Sequence, residues 1–182
     1  MKKLICAVCL TVSSLAMASE QIELGYRLDS NRSTSVDTDN LTFNYKKRFD
    51  KHLEFNLGAT NAQRETDNRL TNRYNIGLGY NHDWFYARAD FGQRLVSGSH
   101  TTDFWQAEVG TRMRLSKTLT ARVGYSYRDA FSDHVDDLQK GYRLSITQEL
   151  DKRWNVSGKY DLLENSQGQK IDRFGISIAR KF

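Results

Sequence analysis

The sequence predicts an all-β protein: a transmembrane antiparallel up-and-down β-barrel of ten strands. Three observations predict it. Apolar and polar residues alternate with period two in ten separate segments. The connections between those segments alternate between short and long. The chain opens on an export-type segment and closes on an amphipathic run ending at Phe182.

The opening residues, MKKLICAVCLTVSSLAMASE, carry Lys2 and Lys3, then an apolar stretch from Leu4, then Ala16-Met17-Ala18. This order reads as a secretory signal peptide over 1–18, cleaved after Ala18. The apolar run is too short to span a bilayer comfortably. Val8 is bulkier than the small residue a lipobox has before its cysteine, so Cys9 does not read as a lipidation site. The chain's two cysteines, Cys6 and Cys9, lie inside this segment. The barrel domain expected over 19–182 therefore has no disulfide and no cysteine metal site.

Composition bounds the rest. A formal charge of +5 over 182 residues falls to about +3 once the two leader lysines are removed. That is mildly basic and does not call for a nucleic-acid partner. Mean hydropathy is −0.67, which would suit a soluble or disordered chain, but aromatics at 12% are too many for simple disorder. Proline is absent, as suits a chain whose backbone N–H groups all enter ladders.

The ten predicted strands are 21–28, 41–49, 53–61, 72–81, 84–95, 104–115, 119–128, 141–150, 154–163 and 171–182. Most have the length a tilted membrane-spanning strand needs. Short polar turns are expected at 50–52, 82–83, 116–118 and 151–153. Long loops are expected at 29–40, 62–71, 96–103, 129–140 and 164–170. An even strand count leaves both ends on the short-turn side, periplasmic in such barrels.

One parity of these strands is apolar: Leu24 and Tyr26, Leu41, Phe43 and Tyr45, Tyr74, Ile76, Leu78 and Tyr80, and so on to Phe174, Ile176 and Ile178. Aromatics gather toward strand ends, as in the girdles at a membrane interface. The apolar face is therefore expected to meet lipid. A closed sheet satisfies every backbone hydrogen bond, the condition for standing in hydrocarbon. A soluble sandwich or lipocalin-like barrel would instead have to expose every charged face and build its core from these aromatics.

The other parity is rich in charge. Arg88, Arg94, Arg112, Arg114, Arg122 and Arg143 form a candidate basic track, with Asp90, Glu108 and Glu149 as candidate acidic partners. Strand direction suggests that Arg88, Arg112 and Arg122 lie level, and that Arg94 sits higher, near Glu108. Two readings follow. Ion-pair networks fill and plug the lumen, or a narrow water-filled pore carries a positive field that favours anions. Nine glycines of inward parity, Gly92, Gly110 and Gly124 among them, weigh toward open space, although glycine also relieves barrel curvature.

The strands YARADFGQRL, AEVGTRMRL, LTARVGYSYR and GYRLSITQEL, with the terminal Phe, resemble the oligogalacturonate-specific porin family. That resemblance implies a small monomeric barrel passing anionic oligosaccharides along inward arginines. The family is typically twelve-stranded, where this sequence counts ten. The terminal strand similarly resembles the signal read by the barrel-insertion machinery.

No catalytic residue, metal site or cofactor is predicted. GxSxG, HExxH and P-loop motifs are absent. His134 in SDHVDD, with Asp133, Asp136 and Asp137, is a candidate cation or acid/base cluster, though such runs are more often solvated loops. The expected partners are outer-membrane lipid and lipopolysaccharide, the insertion machinery and small anionic solutes. A non-conducting structural or adhesive barrel is the alternative.

Overall fold

The computed structural model describes residues 20–98, 101–132 and 137–182. The predicted leader and its cleavage site, together with His100, Asp133, His134 and Asp136, lie outside the described residues. The strands are β1 (Glu20–Asn31), β2 (Val36–Arg48), β3 (Leu53–Arg64), β4 (Leu70–Asn81), β5 (Phe85–Val96), β6 (Thr101–Arg114), β7 (Leu119–Ala130), β8 (Gln139–Glu149), β9 (Trp154–Asn165) and β10 (Lys170–Lys181). Each pairs antiparallel with its sequence neighbours, and β1 pairs with β10, so the sheet closes into the ten-stranded barrel the alternation predicts. Among the described residues no helix is long and apolar enough to cross a membrane; the wall is strand throughout.

Closure is staggered. Following ladder partners from Glu20 through Lys47, Phe55, Leu78, Ala89, Ala107, Tyr127, Lys140, Glu164 and Lys170 leads back to Arg32, one residue past the end of β1, whose N–H bonds the Lys170 carbonyl. The row returns a full strand length above its start. Strands in such a barrel are tilted against its axis.

The strands outrun their predicted ends. Most of the expected 29–40 loop is ladder, with a turn at 32–35 only. The 62–71 loop shrinks to 65–69 and the 164–170 loop to 166–169. The predicted contrast between short turns and long loops is thus largely a contrast in composition. Beyond the hydrocarbon the outward face need not be apolar, so alternation fades while hydrogen-bonded pairing continues. Outward Asp39 accepts from the Tyr26 hydroxyl there, and outward Asp172 binds Arg32 and Tyr160. Tight tips use positive φ where needed: Gly168 has φ 72 and Asn68 has φ 54.

The apolar parity faces out. Leu41, Leu78, Phe91, Tyr142 and Phe174 are all exposed. The interior is polar: Asn40, Asn56, Asp90, Arg128, Asp161 and Arg173 are buried inside the wall. This inverts a soluble core and fits a lipid solvent.

Candidate functional site

Three groups of side chains fill the lumen. The first is a belt. Arg27 donates to Asp29 at 2.8 Å and to Asn40 at 2.8 Å. Arg173 donates to both Asp29 oxygens at 3.0 Å and stands 3.7 Å from Asp161. Arg143 donates to both Asp161 oxygens, at 2.7 and 2.9 Å, and also to Glu108. The Tyr86 hydroxyl completes the chain with a 2.8 Å bond to Glu108. The belt runs from β1 across β10, β9 and β8 to β6 and β5. Two of its carboxylates, Glu108 and Asp161, are nearly inaccessible, and buried carboxylates persist where paired and hydrogen-bonded like this.

The second group stands nearer the end away from the termini. Asp137, just before β8, accepts from Arg94 at 2.7 Å and from Arg128 at 3.0 Å. Beside it the Phe104 ring is 1% exposed. The guanidinium carbons of Arg73 and Arg128 lie 5.9 and 5.5 Å from its centroid.

The third group lies toward the terminal end. Lys46 and Lys159 share Glu23. Lys181 meets Glu149 at 2.6 Å, and Arg88 meets Asp90 at 2.7 Å. Arg112 and Arg122 are direct ladder partners, and among the described residues neither makes an ion pair. Arg122 lies over the Tyr86 ring at 5.3 Å.

The structure redraws the expected track. Arg88 pairs in register with Glu108, while Arg112 lies lower, its N–H bonded to the Trp84 carbonyl. Arg88 is therefore not level with Arg112 and Arg122. Arg94 faces Thr102 rather than Glu108. The staggered register, which strand direction alone does not reveal, accounts for both differences. Arg114 turns to the carbonyls of Ser116 and Lys117, at 3.3 and 2.9 Å, and ties down its turn. Arg143 and Glu108 meet in the belt. Of the SDHVDD cluster, Asp137 is an arginine partner; the described residues hold no cluster of three metal-ligating side chains.

Tyr86 and Phe104 were not among the candidates; Asp137 was, but as part of a cation or acid/base cluster. Tyr86 and Phe104 have the inward parity of Arg88 and Glu108, a signal that marks them. Nothing local marks Asp137 as a partner of Arg94 and Arg128. The glycines also read differently in three dimensions. A Cβ at Gly92 would come within 2.5 Å of the Phe104 ring, and one at Gly110 within 2.8 Å of Tyr86. One at Gly124 would fall on the Tyr86 hydroxyl. These glycines seat large inward rings rather than leaving open space.

What remains is a lumen cavity of about 210 Å³. Nine lysines and arginines line it, Lys46, Arg88 and Arg122 among them, against four carboxylates: Glu54, Asp90, Glu108 and Asp161.

An apolar-outside, charged-inside closed barrel defines an outer-membrane β-barrel protein. Residues 10–168 match the Gram-negative porin family, and the chain belongs to that family. No curated protein sequence matches it. Among solved structures it is similar to the COG4313 outer membrane channel from Pseudomonas putida F1, with TM-score 0.57 and 9% identity over 93% of this chain and 97% of that one. It is also similar to the translocator domain of the autotransporter NalP from Neisseria meningitidis, with TM-score 0.55 and 10% identity over 100% and 94%. A KdgM porin in complex with disordered oligogalacturonate aligns at TM-score 0.49 and 9% identity over 89% and 99%. At these identities the likeness is one of fold.

Proposed function

We propose that the barrel is a narrow anion-preferring pore for small acidic solutes, with the terminal end toward the periplasm. The charge lining the lumen cavity carries this reading: nine cations against four carboxylates. The carboxylates standing behind the lining, Glu23, Asp29 and Asp137, still leave cations in excess. A low-dielectric wall focuses such a field and raises the local anion concentration. Arginine forks suit carboxylate-bearing solutes. Phe182, whose N–H bonds the Glu20 carbonyl at the β1–β10 seam, fits a terminal strand recognised during insertion.

The belt favours a second reading, a non-conducting structural or surface-interaction barrel. Its links from Arg27 to Tyr86 run round the inside of the wall from β1 through β10, β9, β8 and β6 to β5 and fill lumen space with paired side chains. Single-channel recording of refolded protein in planar bilayers under a salt gradient separates the two. Discrete openings with an anion-selective reversal potential support the pore. Folded barrels that never open sink it and leave the structural reading.

A further inference from the structure

The arginine cluster around Asp137 has more positive charge and more hydrogen-bond donors than that carboxylate uses. Arg73 and Arg94 are direct partners on the β4–β5 ladder, a like-charge pairing that destabilises unless an anion sits between. Arg128 reaches the same place from β7, with its side chain 4% exposed. Asp137 is 2% exposed and spends one oxygen on both Arg94 and Arg128. Among the described residues its second oxygen is buried without a partner, and so are the Nε groups of Arg73, Arg94 and Arg128. Buried polar atoms are rarely left unpaired. Four of them belong to this one cluster, tied together by the Arg73–Arg94 pairing, the shared Asp137 and the Phe104 ring, which suits a ligand with more acceptors than a single carboxylate.

We propose that Arg73, Arg94 and Arg128 form an oxyanion-binding site in the upper lumen, which Asp137 occupies as a tethered internal competitor. The ligand class is a small oxyanion with two or more negative charges, such as a dicarboxylate or a phosphate. Its oxygens take the three Nε donors and displace Asp137 toward the mouth. The Phe104 ring, flanked by Arg73 and Arg128, forms the apolar wall of the site. The inference deepens the reading of the barrel as an anion pore, yet its test does not depend on conduction.

The test is calorimetric titration of the refolded barrel in detergent with inorganic phosphate and with succinate, at low salt. Each variant is first checked for folded, heat-modifiable gel mobility. Removing a competitor of millimolar-scale effective concentration should tighten binding by about tenfold in Asp137→Asn. Arg94→Gln and Arg128→Gln should each weaken it. If Asp137→Asn does not refold, the two arginine variants decide alone. Unchanged affinity in Asp137→Asn, or in both arginine variants, overturns the site. Tighter binding in a barrel that never conducts would sink the pore and leave this site standing. An anion-selective pore with unaltered Asp137→Asn binding would do the reverse.

Discussion

Arg143 and Asp161 face each other across the β8–β9 ladder and join through two hydrogen bonds of 2.7 and 2.9 Å. Asp161 is 2% exposed. Removing one partner strands the other charge inside the wall. Asp161→Ala is expected to cost about 3–5 kcal/mol, read from the urea midpoint of unfolding from lipid vesicles. Pairing Asp161→Leu with Arg143→Met should recover part of the loss, because no buried charge is then left alone. No recovery in the double variant would mean that the pair acts through packing, not charge.

Gly124 gives the Tyr86 hydroxyl its place beneath Glu108. Gly124→Ala should destabilise by about 1–3 kcal/mol through overpacking. Tyr86→Phe removes the clashing oxygen, so the double variant should be more stable than the sum of the singles predicts. Additive losses in a double-mutant cycle would exclude the contact as the cause.

Arg112 and Arg122 present their charges to the lumen without an ion pair among the described residues, whereas Arg88 spends its charge on Asp90. If the pore conducts, Arg112→Ala with Arg122→Ala should reduce anion preference more than Arg88→Ala does. The reversal potential under a salt gradient measures the difference. A larger effect from Arg88→Ala would place the selective region higher in the lumen.

Phe104 is nearly sealed off at 1% exposure and is flanked by Arg73 and Arg128. Phe104→Ala should widen the upper lumen and raise unitary conductance. It should also lower stability, by about 3–5 kcal/mol if the space does not fill with water. Unchanged conductance would show that the narrowest point lies elsewhere.

Asp50 and Asp151 cap two turns at the terminal end. Asp50 accepts the N–H groups of His52 and Leu53 at 2.6 and 2.8 Å; Asp151 accepts those of Arg153 and Trp154 at 2.6 and 2.7 Å. These backbone donors hold both carboxyl groups below the usual carboxylate range. A lowered folded value means the stabilisation is present above the unfolded pKa and is lost as pH falls through the folded one. Asp50→Asn should therefore unfold earlier than wild type in urea at neutral pH, with the gap closing in strong acid. A gap that persists there would assign the effect to the amide's shape rather than to charge.

The sequence by itself determined the strand count, the closure into a barrel and which parity meets lipid. Those follow from a local property, the period-two alternation seen in Leu24 and Tyr26 against Glu23 and Arg27. It also determined that the lumen is basic, because parity sorts Arg88, Arg112 and Arg122 to one side. Only the tertiary structure decided which charges meet. The Arg112–Arg122 pairing across a short turn was already legible, whereas the β5–β6 register sets Arg88 against Glu108 rather than level with Arg112. The fold brings Asp161 of β9 and Glu108 of β6 to one Arg143. It also decided the role of the glycines, since the ring filling the space over Gly92 comes from Phe104 on the next strand. Asp137 reads locally as a solvated loop residue. Two arginines on different strands, brought together by the curvature of the wall, make it an interior one.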